Sequence, residues 1–137
     1  MTACIIGWAH TPFGRLENES VESLVIGAAT AALDDAGIAA ADVDEVLLGH
    51  FNAGFSAQDF TASLVLQASP DLRFKPATRV ENACATGSAA VHHGVRAIRA
   101  GAARASIARM PIWTAAEPVA QAFSTRVTRL NRRSGEA

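Results

Sequence analysis

Apolar residues follow two kinds of spacing along the chain, short unbroken runs and repeats at three and four, with turn residues between them. Ala3-Cys-Ile-Ile-Gly7 is an apolar run closed by glycine, the pattern of a buried strand. Thr11-Pro-Phe-Gly14 is turn chemistry: Pro12 removes a donor and Gly14 permits a bend. From Ser20 the spacing changes. Val21, Leu24, Val25, Ala28, Ala32 and Leu33 recur at three and four, so a helix with one apolar face is predicted over Ser20 to Ala36. Ser20 is placed to cap it, Asp34 and Asp35 oppose its dipole near the end, and Gly37 stops it. A second buried strand follows over Glu45 to Gly49. Strand, helix and strand in this spacing make a βαβ unit, which predicts a parallel pairing.

The next segments are shorter. His50 to Ser56 reads as a loop with Asn52 and Gly54 in it. Gln58 to Ala68 reads as a second helix, with Phe60, Leu64, Val65 and Ala68 on one face, ended by Ser69-Pro70-Asp71. Pro76 to Glu81 is short and extended. Ser88 to Ala100 reads as a third helix, rich in alanine and other small residues, and its small surface predicts an interior position. After Gly101 the pattern degrades. The βαβ logic asks for another strand over Ala103 to Ile112, but Arg104, Ser106, Arg109 and Pro111 interrupt it. Trp113 to Ala137 has weak helical periodicity at best, and no internal repeat occurs.

Composition narrows this to one globular domain. The chain has 137 residues, half of them hydrophobic and 18% charged, with no tyrosine and two tryptophans. Aliphatic side chains must therefore build the core. No basic start leads into a long apolar stretch, so no signal peptide is expected. No window approaches the ~20 apolar residues of a membrane span, so no membrane partner is expected and a cytoplasmic location is the default. The two cysteines, Cys4 and Cys84, stand far apart, and a cytosolic setting argues against a disulfide between them. Without CxxC or HxxxH spacing, no metal site is expected. Charge is uneven: residues 1–103 carry six Lys/Arg and eleven Asp/Glu, whereas residues 104–137 carry six Arg and two Glu. The basic tail lacks interleaved aromatics, so no nucleic-acid partner is expected.

Chemistry concentrates in Val80-Glu-Asn-Ala-Cys-Ala-Thr-Gly-Ser-Ala-Ala90. Cys84 directly precedes the third helix. A thiol at a helix N-terminus meets unpaired N–H groups and the positive end of the dipole, and both favour the nucleophilic thiolate. Gly87 lets the chain turn closely and leaves room for a thioester. The order strand, nucleophile, helix is that of an exposed elbow, as in other acyl-transfer enzymes. Other candidates carry less. Cys4 is expected to pack in the core. His92 and His93 are adjacent on a helix and point about 100° apart, which suits no shared metal. His50 ends a strand at the edge where such sheets hold sites. His10 has no evident partner, and Thr86 reads as a helix cap.

The segment Asn82-Ala-Cys-Ala-Thr-Gly-Ser88 resembles the nucleophile motif of the thiolase family, a cysteine followed after one or two small residues by Ser/Thr and Gly. Thr11-Pro-Phe-Gly-Arg15 resembles that family's early Thr-Pro-Phe-Gly segment, and Asp44-Glu-Val-Leu-Leu-Gly-His50 its second strand. Order and spacing agree from Ala3 to about Ala103. The small residues after Cys84 look most like the branch of sterol-carrier thiolases and bacterial acetyl-CoA acetyltransferases. The resemblance implies an α/β fold, an incomplete N-terminal half of the thiolase fold with a mixed sheet and helices on its faces. It implies that Cys84 takes an acyl group from acyl-CoA as a thioester. Coenzyme A thioester is then a substrate, and no cofactor is tightly bound. No coenzyme A contact is carried over to a particular residue, and Cys84 alone carries a catalytic role.

The departures are as informative. The family takes its catalytic histidine, a second cysteine and much of its oxyanion hole from a C-terminal half, and neither Gly-His-Pro nor Cys-x-Gly occurs here. His10, His50, His92 and His93 match none of those positions. The family has a strong apolar strand after the third helix, lying beside the first strand. This chain has Ala105-Ser-Ile-Ala-Arg-Met-Pro111, and the charge reverses at the same place. The expected organisation is a partial thiolase N-terminal domain over 1–103 and a divergent tail over 104–137, out of frame or disordered, in a truncated or frameshifted thiolase. The first strand would then keep an open apolar edge. A homo-oligomer or the missing half is the implied partner, beside acyl-CoA. Two alternatives stay open: a non-catalytic thiolase-like fragment or partner subunit, and a ketoacyl-synthase relative, against which the Thr-Pro-Phe-Gly segment argues.

Overall fold

The computed structural model describes residues 2–12, 14, 16–50, 60–111 and 123–131, with 109–111 and 123–131 as backbone. In chain order the elements are β1 (Thr2–His10), α1 (Val21–Ala36), β2 (Glu45–Gly49), α2 (Thr61–Leu64), β3 (Ala77–Val80), α3 (Thr86–Arg99), β4 (Ala105–Pro111) and β5 (Phe123–Asn131). One five-stranded sheet runs in the order β1-β5-β4-β2-β3. β2 is parallel to both β3 and β4, while β5 is antiparallel to β4 and β1. The sheet is therefore mixed.

α1 forms as its sequence predicts. The Ser23 N–H donates to Ser20 Oγ at 3.0 Å, and the Ser20 N–H donates to Ser23 Oγ at 2.9 Å. This capping box has serine at both ends, so two free N–H groups are satisfied reciprocally. Gly37 closes the helix at φ 64°, the left-handed cap that glycine takes without a steric penalty. Leu24, Val25, Ala28, Ala29, Ala32 and Leu33 are buried and form one core with Val46, Leu48 and Ile107 of the sheet. Leu47 points the other way, into a smaller cluster with Val80 and Ala90. The alternation along β2 thus puts α1 on one face and α3 on the other.

β1 is longer and less buried than its apolar run suggests. Of its nine residues only Gly7 is buried, and Ile5 and Trp8 are 50% and 48% exposed. The reason is its place: β1 is the outermost strand, paired with β5 alone. It touches α1 through Gly7, where a Cβ would stand 2.5 Å from the Ala36 Cβ and 2.6 Å from the Ala32 carbonyl oxygen. Asp35, near the end of α1, accepts the Trp8 N–H at 2.8 Å.

The interrupted segment after α3 is a strand. β4 pairs with β2 on one side and β5 on the other, and Ala105, Ser106, Ile107 and Ala108 are buried. Polar groups at its start are paired with residues at the start of β2. Asp44 Oδ2 accepts the N–H groups of Arg104 at 2.6 Å and Ala105 at 3.2 Å, and Ser106 Oγ donates to Glu45 Oε1 at 2.6 Å. The place beside β1 is filled by β5, so β4 does not neighbour the first strand. Within the tail, residues 123–131 are extended rather than weakly helical.

Two further expectations change. α2 is a single α-turn continued by 3-10 geometry over Val65–Ala68, and the residues before Phe60 that were expected in it lie outside the described residues, as does most of the His50 to Ser56 loop. α3 is interior on one face only. Thr86, Gly87, Ala90, Gly94 and Ile98 are buried, while Ser88, His92, His93, Arg96 and Arg99 are exposed. Its small residues let it lie close on the sheet, and its charged side faces solvent.

Candidate active site

The site lies at the ends of β2 and β3, where both parallel strands deliver their C-terminal residues to one edge. The His50 N–H donates to the Val80 carbonyl at 3.0 Å, extending the pairing by one residue past the end of β2. From Val80 the chain runs through Glu81 and Asn82 into a 3-10 turn, Ala83–Ala85, and then directly into α3. Cys84 is in the middle of that turn and is exposed.

The turn is sharp and specifically held. Ala83 has φ 43°, and it is the one non-glycine residue with positive φ among the described residues. Left-handed backbone is unfavourable for a residue with a Cβ and concentrates at functional sites. Thr86 is 3% exposed. Its Oγ1 accepts the Asn82 N–H at 2.7 Å and donates to the Ala83 carbonyl at 2.7 Å. The Ala85 N–H donates to the Asn82 carbonyl at 2.9 Å. Thr86 therefore caps the turn and not the helix. α3 has Ala85 at its N-cap and no side-chain cap bond, which leaves the first-turn N–H groups without a capping side chain. Gly87 is buried within α3, so the bend is made at Ala83 and not at the glycine.

His50 is half-buried, and its Nδ1 shares a 2.8 Å hydrogen bond with Thr61 Oγ1, whose direction follows the imidazole tautomer. Burial, reinforced by the positive charge of Arg79 and opposed by Glu81, pushes its pKa below the usual 6.5. A neutral ring at neutral pH is the result. His50 thus belongs to the same sheet edge as the Cys84 turn, through its bond to Val80.

The other candidates are elsewhere. His92 and His93 are exposed on α3, on the helix itself. His10 ends β1, with Nδ1 2.8 Å from the Thr11 carbonyl oxygen and its ring 4.8 Å from that of Trp8. Cys4 is half-buried in β1, and both cysteines are free thiols. Among the described residues no three His, Cys, Asp or Glu side chains gather as a metal site requires. Sequence reasoning missed Ala83 altogether and misassigned Thr86. A small hydroxyl residue two positions after the candidate nucleophile was the available signal.

A mixed sheet with helices on both faces and an exposed thiol at the strand–helix junction defines a thiolase-like α/β fold. Residues 3–109 match the model of the thiolase N-terminal domain, and the chain belongs to the thiolase family. The acetyl-CoA acetyltransferase of Methanocaldococcus jannaschii is 41% identical over 99 residues, which are 72% of this chain and 25% of that protein. The chain thus spans about a quarter of the length of that relative. A thiolase of Ascaris suum, solved in complex with coenzyme A, superposes with a TM-score of 0.72 at 18% identity, covering 80% of this chain and 29% of that one. The 3-oxoacyl-[acyl-carrier-protein] synthase III of Aquifex aeolicus superposes at 0.77 with 16% identity, covering 95% and 54%. At such identities these two likenesses concern the fold alone.

Proposed function

We propose that Cys84 is the acyl-accepting nucleophile of a thiolase-type acyltransferase of the acetyl-CoA acetyltransferase kind, working in the cytoplasm. The observation that carries this reading is the exposed thiol on a turn with left-handed Ala83, directly before α3, whose N-terminus has no side-chain cap. Cys84 Sγ attacks the thioester carbonyl of acyl-CoA. The new bond joins Sγ to the acyl carbon, the bond to the coenzyme A sulfur breaks, and coenzyme A leaves as its thiol with the proton that Cys84 gives up. Backbone N–H groups at a helix start are suited to the negative charge that develops on the way. Coenzyme A thioester is substrate here, with no tightly bound cofactor.

The reading also holds that the chain alone does not complete a cycle. Condensation needs a base within reach of the second substrate's α-carbon proton. His50 is the histidine on this edge, and it is engaged with Thr61. A second copy of the chain or a further thiolase half is the partner that would supply the rest. In this reading residues 1–103 form the partial thiolase domain, continued by β4 to the end of the family match at 109, and the chain beyond is a divergent tail. Reading the other frames of the coding DNA past residue 109 tests that division, and a lack of thiolase-like continuation there overturns it.

Intact-mass measurement after incubation with acetyl-CoA tests the function. An acetyl adduct that is absent in Cys84→Ala supports it, with no steady-state thiolysis of acetoacetyl-CoA. An unmodified chain favours the second reading, a non-catalytic fragment or partner subunit. Sustained turnover lost in Cys84→Ala overturns the claim of incompleteness.

A further inference from the structure

We infer that Thr86 is the positioning residue of the nucleophile: its buried hydroxyl, held between the Asn82 N–H and the Ala83 carbonyl, keeps Ala83 left-handed and so sets where Cys84 Sγ stands. The inference rests on the reading of Cys84 as acyl acceptor and deepens it.

A left-handed alanine persists only where its surroundings over-determine it. Asn82, Ala83, Cys84 and Ala85 are all exposed, so packing does not hold this turn. The bond from the Ala85 N–H to the Asn82 carbonyl is of the kind that closes any 3-10 turn. What distinguishes this one is the Thr86 hydroxyl, which spans the turn with two 2.7 Å bonds to consecutive residues. Burial at 3% exposure and the branched Cβ leave Thr86 little rotamer freedom, so its hydroxyl is a fixed anchor. Both of its hydrogen-bonding roles, donor and acceptor, are used on backbone. Thr86 therefore acts through Cys84 and not on a substrate. Ser88 offers the contrast: it is exposed, and its Oγ donates to the Ala85 carbonyl at 3.0 Å, an ordinary bond within the first turn of α3.

The experiment uses the full chain with Cys4→Ser, leaving Cys84 as the one thiol. Acetylation of Cys84 by acetyl-CoA is followed by intact mass, beside alkylation by iodoacetamide, which needs little more than exposure. Thr86→Val keeps the shape and loses the hydroxyl. Acetylation is expected to fall on the order of ten- to a hundredfold, the usual result of misplacing a reacting atom, while alkylation stays within about threefold. Thr86→Ser should restore acetylation. Ala83→Gly/Thr86→Val should recover part of it, because glycine holds positive φ without an anchor. The inference is overturned by parental acetylation in Thr86→Val, by a Thr86→Ser as slow as the valine variant, or by equal losses in both reactions. If Thr86→Val lacks a cooperative melt, the double variant is compared with Ala83→Gly. Acetylation within about threefold sustains the inference, and an unfolded or about tenfold slower double variant overturns it. If the parent takes no acetyl group, the functional reading fails by itself. The positioning role is then read from amide exchange at Ala85: faster in Thr86→Val than in Thr86→Ser supports it, and equal rates overturn it.

Discussion

β1 and β2 are both apolar runs that contain a glycine, and they end in opposite situations. β2 is buried from Val46 through Gly49, paired on both sides and covered by helices on both faces. β1 is the outer strand of the same sheet, with a single buried residue and a bulge between Ile5 and Gly7. The difference lies in their partners. β2 collects β3 and β4 through parallel crossovers, and its flanking acids, Asp44 and Glu45, hold the start of β4. β1 has β5 on one side and α1 on one face. An apolar run states that a strand is wanted; its neighbours decide whether the strand is central or at an edge. The site sits at the end of β2 and of its parallel neighbour β3, on the βαβ side of the sheet and away from β1.

Substitutions in the two strands should expose this contrast most strongly. Leu48→Ala removes a fully buried side chain from the main core, and a loss of about 2–5 kcal/mol in denaturant unfolding is expected. Ile5→Thr, on the exposed side of β1, should cost no more than about 0.5 kcal/mol by the same measurement. Equal losses would erase the distinction between centre and edge.

Gly7 is the exception within β1. A methyl group there would enter the 2.5 Å space before Ala36, against helix backbone that cannot swing aside. Gly7→Ala should cost about 1–3 kcal/mol, the range of an overpacked core. A neutral result in thermal melts would mean that β1 is not seated on α1 as described.

pH separates the regions more gently. The folded chain holds His50 below its ordinary pKa, chiefly by burial, so the unfolded chain binds a proton first as pH falls. Its contribution to stability is full above pH 6.5 and is lost as pH falls from there through the folded value. His50→Gln should flatten stability in that window, and an unchanged slope would contradict the placement of His50. Asp44 responds lower. Burial pushes its pKa up, but the N–H groups of Arg104 and Ala105 and the Arg104 guanidinium outweigh this and hold it below 3.8. Its support for β4 is present above that value and fades as pH drops through the folded one.

The smallest effect concerns the two thiols, one in each region. Cys84 is exposed on the turn and Cys4 is half-buried in β1. Iodoacetamide should label Cys84 first in the folded chain, and the two rates should converge in denaturant. Equal rates before denaturation would remove the case for a presented nucleophile.

Much of α1 was legible because its information is local. Ser20, the three-and-four spacing and Gly37 act within a few residues of one another, and the structure keeps each in its expected role. β4 was not legible for the opposite reason. Arg104 and Ser106 look like breaks until Asp44 and Glu45, some sixty positions earlier in the chain, meet them. Hydrogen bonding over that distance leaves no periodicity to read.

The site divides in the same way. Its motif, with Cys84 before a helix of small residues, is a local arrangement that the sequence determined by itself. The strand, the nucleophile and the helix follow directly in the chain, and their order alone places a thiol at a helix start. Tertiary structure alone decided that Ala83 carries the left-handed turn and that Thr86 spans it. The physical reason is that a strained backbone needs a buried anchor, and whether Thr86 is buried depends on α3 packing against β2, β3 and β4, which no window of sequence contains.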